Sequence, residues 1–519
     1  MNFKPPNTID PGFYKWLVVL AVMSGTILQV IDTSAVNVAL PHIAGDLGAG
    51  IDESTWVLTS YLVSNGIVLP LTGWLGIHFG RKRFFMFSLF LFITSSMLCG
   101  MSPNLPTLVV CRILQGAGGG ALVPVSQAIL METFPPAQQG MAMAMFGVGV
   151  MFGPIVGPTL GGYITDNYDW RWIFYINLPI GIAAILLVYF FIKDPPYLKK
   201  QKAGSFDLMG FAILCIAVGL LQVVLDKGER EDWFNTDWIV YCIIVSLISF
   251  VIFTIYELYV VKEPIVDLRV FKDNNFRIGT FIMFNLGLGL YGGIALIPLY
   301  LQNLMGYDAY KAGLSTAPAG LATIVAMQIA GIAMRFIDSR IIIGVGMLIS
   351  ALGYHSMSSF NLDSSFYVVA FYRIIQGFGM GLIFVPLTTT ILSYIPKEKM
   401  GNATGVYNFS RNMGGSIGIS IVITLLSRRG QYHQTCLVHN YTPFNWVFNE
   451  RLNSLVSTLT HISSDPFTAS KQALSLIYGQ VLEHASMLSY NDCFWLIAVD
   501  FICLAPLLIL LKKRLLTRD

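Results

Sequence analysis

The chain has 519 residues, 55% of them hydrophobic and only 12% charged. A soluble globular chain carries about twice that charge, roughly 25%, so an ordinary soluble enzyme is excluded. The net charge of +3 is spread over short loops between apolar stretches and offers no surface for nucleic acid; the seven cysteines, without metal-ligand spacing, suggest neither a disulfide framework nor a metal centre.

Hydrocarbon about 30 Å thick is crossed by roughly 20 helical residues. On that measure the chain holds fourteen spans, near 14–38, 55–77, 84–101, 107–130, 140–163, 171–192, 206–225, 238–260, 277–300, 312–334, 341–360, 366–392, 401–424 and 491–511. The first span carries Asp32 and is too long for a cleavable signal peptide. Span two ends near Gly73, ahead of the basic turn Gly80-Arg81-Lys82-Arg83. Span four holds Arg112-Ile113-Leu114-Gln115-Gly116, and an arginine at a helix centre costs roughly 2.5–3.5 kcal/mol on insertion scales, so its presence argues for a role. Span five sets Gly149, Gly153, Pro154, Gly157, Pro158 and Gly161 at helical spacing; small residues there let two backbones approach, and packing is the favoured reading over a hinge.

Span twelve repeats the arginine motif 261 residues later as Arg373-Ile374-Ile375-Gln376-Gly377, and Pro135, Gly140, Gly153 and Gly157 match Pro396, Gly401, Gly414 and Gly418 at the same offset. Repeated halves with buried charges are the pattern of an alternating-access transporter. Spans seven and eight have no counterpart. The organisation expected is therefore an all-α membrane protein with six helices in residues 1–200, an inserted helix pair in 201–270, and six helices in 271–519. This last part includes a hydrophilic outer stretch, 425–490, with helix-like patterning near 448–459 and 470–482. Counting Lys and Arg with the N-terminus inside puts 21 in inner segments and 8 in outer ones, which places both termini in the cytoplasm.

Asp32 and Arg112 fall level, roughly 8–9 Å below the outer surface, so pairing across a cavity is geometrically possible. Desolvation and a nearby cation act in opposite senses on a carboxylate, which is what a proton-coupling site requires. Arg411 and Asp500 form a second candidate pair; Arg373 has no acidic mate, and Glu257 is expected to snorkel or pair with Lys262. Gln29, Asn37, Tyr61, Asn65, Gln115, Asn285, Tyr291, Gln376, Tyr407 and Asn408 are polar or aromatic residues in apolar segments, and supply candidates for a substrate cavity. No phosphate-cradling loop is present, so no ATP-driven mechanism, catalytic residue or cofactor is expected.

The glycine–proline pattern of span five resembles the antiporter signature of the major facilitator superfamily, and Arg112-x-x-Gln115-Gly116 resembles its fourth-helix motif. The run from Leu28 through Asp32 and Asn37 to Pro41 is similar to the first helix of its fourteen-span drug:proton antiporters. Trp56–Tyr61, Pro70–Trp74 and Pro264–Leu268 further resemble the inner-membrane subunit of Emr-type multidrug efflux systems. The resemblance implies a proton-driven inner-membrane exporter of hydrophobic or amphipathic toxic compounds. Its implied partners are a periplasmic adaptor and an outer-membrane channel, and it implies that Asp32 and Arg112 couple the proton. The alternatives are a proton-coupled importer of one solute and, more remotely, a membrane enzyme acting on lipid. One departure stands out. Ile77 and His78 occupy the positions where the superfamily's second-to-third-helix motif has Asp and Arg, so an inner-face latch is either weaker or held by Arg81 and Arg83.

Overall fold

A computed structural model describes residues 11–195, 206–439, 441–463 and 465–512. Lys4, Lys199, Lys200, Lys202, Lys513, Arg514 and Arg518, which enter the orientation count, lie outside the described residues, as do Asn440 and Ser464 of the outer stretch.

Every regular element among the described residues is helical. Fourteen helices are long and apolar enough to cross a membrane. The first eight are α1 (Phe13–Asp46), α2 (Trp56–Phe79), α3 (Arg81–Gly100), α4 (Leu105–Thr133), α5 (Pro136–Asn167), α6 (Trp172–Phe191), α7 (Leu208–Lys227) and α8 (Asp237–Val260). Then come α9 (Asn274–Leu304), α10 (Lys311–Ala333), α11 (Ser339–Met357), α12 (Phe366–Leu392) and α13 (Lys397–Val438). A helix outside this set, α14 (Trp446–Ser463), precedes the last span, α15 (Pro466–Leu510).

Tight turns join the helices because polar side chains occupy the amides that a first helical turn leaves without partners. Asn104 accepts from the Thr107 amide at 3.0 Å, and Asp308 from the Lys311 amide at 2.6 Å. Between α2 and α3 a single residue suffices: Gly80, at φ +83°, takes a conformation that a side chain would strain.

Two halves repeat one packing scheme. α1 lies on α5, α2 and α3 lie on α4, and α3 lies on α6; correspondingly α9 lies on α13, α10 and α11 on α12, and α11 on α15. The halves meet where α2 touches α13 and α5 touches α10. At the end carrying the short basic loops these contacts are backbone-close. A methyl group on Gly73 would lie 2.5 Å from Asn402 Cα, and one on Gly140 would lie 3.3 Å from the Gly331 carbonyl oxygen. The inserted helices α7 and α8 pack on each other, and α7 also lies against α2 and α13. Its Val218 and Met413 of α13 both lie close to Gly66 of α2, so α7 runs beside the seam between the halves.

The outer stretch corrects the expectation of a loop from 425 to 490. α13 continues to Val438 and α15 begins at Pro466, and the two are bridged by α14, which packs along α15. α13 spans 42 residues and α15 45, about twice what hydrocarbon requires. A fall in hydropathy marks where a helix leaves the membrane, not where it ends. On this extension Phe444, Trp446 and Phe467 are 96%, 72% and 68% exposed.

Candidate functional site

Five helices of the first half converge on Asp32. Arg112 Nη1 donates to Asp32 Oδ2 at 2.9 Å, while Gln115 Nε2 and Asn177 Nδ2 donate to Oδ1 at 2.9 and 2.6 Å. Arg112 is held in turn: its Nε donates to the Val57 carbonyl at 3.0 Å and Nη1 also to Gln115 Oε1 at 2.7 Å. The guanidinium lies 4.3 Å from the Tyr61 ring centroid, a cation–π contact. Asn177 Nδ2 is 2.9 Å from Ser96 Oγ. Asp32 and Arg112 are 1% and 0% exposed. A buried ion pair repays its desolvation only when its remaining lone pairs and protons are satisfied; the donors from α4 and α6 satisfy both carboxylate oxygens, while Arg112 Nη2 is buried without a partner.

The level placement of Asp32 and Arg112 is as the residue count along α1 and α4 implies, and no cavity separates the two. The pair is in direct contact and sealed inside the first half. Gln115 and Tyr61, read as cavity candidates, belong to this cluster. Asn177 and Ser96 were missed. Asn177 carried a readable signal, since it is a polar residue near the outer end of an apolar span, at the depth of Asp32.

The glycine face of α5 turns out to pack on the same helix that carries Asp32. A side chain at Gly153 would collide with Val30, one at Gly157 with Ser34, and one at Gly161 would lie 2.8 Å from Ala35 Cα. Gly149 faces Met23, Pro154 is exposed and Pro158 is half-buried. These residues therefore fasten α1 to α5 within one half. Contact with the other half is made by different positions of α5, where Gly140 meets Gly331 and Ile155 meets Gly320.

The remaining candidates are scattered. Asn408 Nδ2 donates to Gln127 Oε1 at 2.6 Å, a buried hydrogen bond that joins the halves; Gln127 was not anticipated. Gln29 Oε1 and Asn65 Nδ2 are buried without hydrogen-bond partners. Tyr407 bonds Thr388 at 2.6 Å within the second half. Asn37 is exposed, Asn285 and Tyr291 are half-buried, and Asn285 donates back to the Phe281 carbonyl. Gln376 accepts from Arg373 Nη1 at 2.6 Å.

Two charge expectations are corrected, and a third is filled in. No hydrogen bond or ion pair joins Arg411 to Asp500 among the described residues: Arg411 lies over the Phe384 ring, and Arg411 Nε and Asp500 Oδ2 have no hydrogen-bond partner. Glu257 neither snorkels nor pairs with Lys262; it is 1% exposed, because the turn ending α8 directs it inward toward α7. Arg81, read as one holder of a latch between the halves, stands at the first residue of α3 and reaches the other half. It forms a buried ion pair with Glu132 of α4, in its own half, and its guanidinium abuts Gly401 of the other.

The Major Facilitator Superfamily model matches residues 22–419. The chain is 35% identical to the "Multidrug export protein EmrB" of Haemophilus influenzae, over 94% of this chain and 93% of that one. It is also 35% identical to the "Fatty acid resistance protein FarB" of Neisseria gonorrhoeae, over 95% and 96% of the two chains. In fold it is similar to the human organic anion transporter MFSD10, with a TM-score of 0.62 at 14% identity, covering 97% of this chain and 100% of that one. The proton:xylose symporter XylE gives 0.58 at 14% identity, with the same coverage.

Proposed function

The chain belongs to the major facilitator superfamily, and on that premise we propose that it exports hydrophobic and amphipathic toxic compounds in exchange for protons entering at Asp32. It is a multi-pass inner-membrane transporter. Relatives named for multidrug export and fatty acid resistance, similar over almost their whole length, support this substrate class. The observation that carries the mechanism is the sealed Asp32 cluster. A proton on Asp32 cancels the charge that Arg112 balances: the neutral carboxyl can still accept a weaker hydrogen bond, but Arg112 is left without a counter-ion, held otherwise by the Val57 carbonyl and the Gln115 amide oxygen. The resulting imbalance favours a rearrangement of α1 against α4 and α6. Because α1 is fastened to α5 through Gly153, Gly157 and Gly161, and α5 touches α10, that movement is transmitted to the seam between the halves. Substrate occupies the space between the halves, near Gln29, Asn65, Gln127 and Asn408; the proton site is sealed away from it, so the two exchange through helix movement rather than by competing for one pocket.

In reconstituted vesicles carrying a proton gradient, addition of a lipophilic cationic dye should release protons and drive dye transport against its gradient. Dye movement that neither consumes the gradient nor responds to its collapse overturns the antiport reading. Saturable uptake of a single solute would instead favour the importer.

The excess of Lys and Arg in the short loops supports a reading with both termini in the cytoplasm. The extension formed by α13, α14 and α15 then projects into the periplasm, where Phe444, Trp446 and Phe467 offer an apolar surface to an adaptor that leads to an outer-membrane channel. Deleting residues 435–485 with a short flexible bridge should leave vesicle transport intact while lowering cellular resistance and adaptor co-purification. Full resistance with equal adaptor recovery would rule this out.

A further inference from the structure

The inserted helices carry a carboxyl pair that the Asp32 mechanism does not use. Asp207 caps the first turn of α7: its Oδ1 accepts from the Gly210 amide at 2.9 Å and from the Tyr256 hydroxyl at 3.3 Å, while Oδ2 is buried without a partner. Glu257, in the π-helical turn that ends α8, is 1% exposed, and neither of its carboxyl oxygens has a hydrogen-bond partner. The two carboxyls converge on Gly210. A methyl group there would collide with Asp207 Oδ2 and lie 3.0 Å from Glu257 Oε1, so the missing side chain is what lets them face each other.

The groups around the pair do not neutralise it. Tyr256 already donates to Asp207. Asp267, on the segment between α8 and α9, adds another negative charge, and its carboxylate is bound to Lys399 Nζ at 2.8 Å. Lys262 is exposed on the same segment. The amides of Ile265 and Val266 lie beside Glu257 without hydrogen-bond geometry. Among the described residues no cation stands within ion-pair distance of either carboxyl.

Glu257 is buried and Asp207 half-buried, and two carboxylates facing each other this closely do not readily both remain ionised. Asp207 has two donors and the positive end of the α7 dipole to hold its charge; Glu257 has neither. We propose that Glu257 and Asp207 hold one proton between them, carried on Glu257, and form a second proton-binding site on the inserted helix pair, separate from Asp32. The site is tied to the seam between the halves. Asn402 accepts from the Asp267 amide at 3.1 Å and donates to the Asp267 carbonyl at 2.8 Å, and the same Asn402 backbone packs on Gly73 of α2. When Asn402 parts from Gly73, the segment 265–267 moves with it, and with it the amides beside Glu257. Proton occupancy of the pair therefore follows the opening of the basic-loop end, giving the inserted helices a role that a twelve-helix chain lacks.

The test uses full-length protein in detergent at neutral pH and reads the infrared C=O stretch of protonated carboxyls, in light and heavy water. One band should disappear in Glu257→Gln and persist in Asp32→Asn, which separates this site from the coupling site. Asp207→Asn keeps Glu257 but removes the charge it faces, so the band should shift in frequency or weaken as Glu257 is freed to ionise. A spectrum unchanged by Glu257→Gln overturns the proposal. If that variant does not fold, an unchanged band in Asp207→Asn overturns it equally.

Discussion

Arg112 and Arg373 stand at the same place in the two repeats and begin with the same contact, each donating Nη1 to the glutamine three residues on, at 2.7 and 2.6 Å. There the likeness ends. Arg112 meets Asp32 and the Val57 carbonyl, whereas Arg373 has no carboxylate within ion-pair distance among the described residues, and its buried Nε has no partner. In the second half Tyr354 takes up the corresponding interior: its hydroxyl donates to the Gly289 carbonyl at 3.3 Å, and it fills the space that a side chain on Gly293 would need. The arginine motif by itself thus builds no titratable site. The carboxylate from the first helix of the half does, and only one half has it.

The largest effect should come from removing that carboxylate. Asp32→Asn keeps the shape and the Asn177 and Gln115 neighbours but cannot exchange a proton, so gradient-driven transport in vesicles should fall to the level of empty vesicles while the protein still inserts. Unchanged substrate-induced proton release would remove Asp32 from the mechanism. Next, the two arginines should separate. Arg112→Ala leaves Asp32 buried without its counter-ion, a loss of about 3–5 kcal/mol by comparison with other broken buried pairs, and both thermal stability and transport should collapse. Arg373→Ala removes a cation that has no anion to balance, so stability should hold and transport should stay within several-fold of wild type. Equal damage from the two variants would break the comparison. Arg112→Lys keeps the charge but loses the planar fork that serves Asp32, Gln115 and Val57 together, so partial activity is expected. The smallest effect should be that of Tyr354→Phe. It deletes one hydrogen bond to a backbone carbonyl, worth about 1 kcal/mol, and should lower the melting temperature slightly without altering proton stoichiometry.

How much of the site could be read in the sequence differs from residue to residue. The depth match of Asp32 with Arg112 was visible because helical rise converts residue counts into height. Which neighbours complete the cluster was not, because height says nothing about the azimuth at which each helix faces its neighbour. Gln115 therefore read as a cavity residue although it binds Asp32, and Asn177, at the right height, went unremarked. Arg411 and Asp500 erred in the opposite sense: similar depth suggested a pair, and the rotation of α13 and α15 keeps the groups apart. Glu257 was expected at the lipid interface since it lies at the end of a span, and the π-helical turn there redirects it onto Gly210.

By itself the sequence determined the number of spans, the internal repeat and the family, since all three depend on properties that accumulate along the chain: hydropathy over some twenty residues, glycines at fixed spacing, and buried charges at a fixed offset. Only the tertiary structure decided that the Asp32 pair is sealed, that the glycine face of α5 fastens α1 rather than hinging the halves, and that α13 and α15 extend as continuous helices beyond the bilayer. Those outcomes depend on how helices are rotated against one another and on which backbones come close enough to exclude a side chain. Such contacts join residues a hundred or more positions apart, and local pattern carries no record of them.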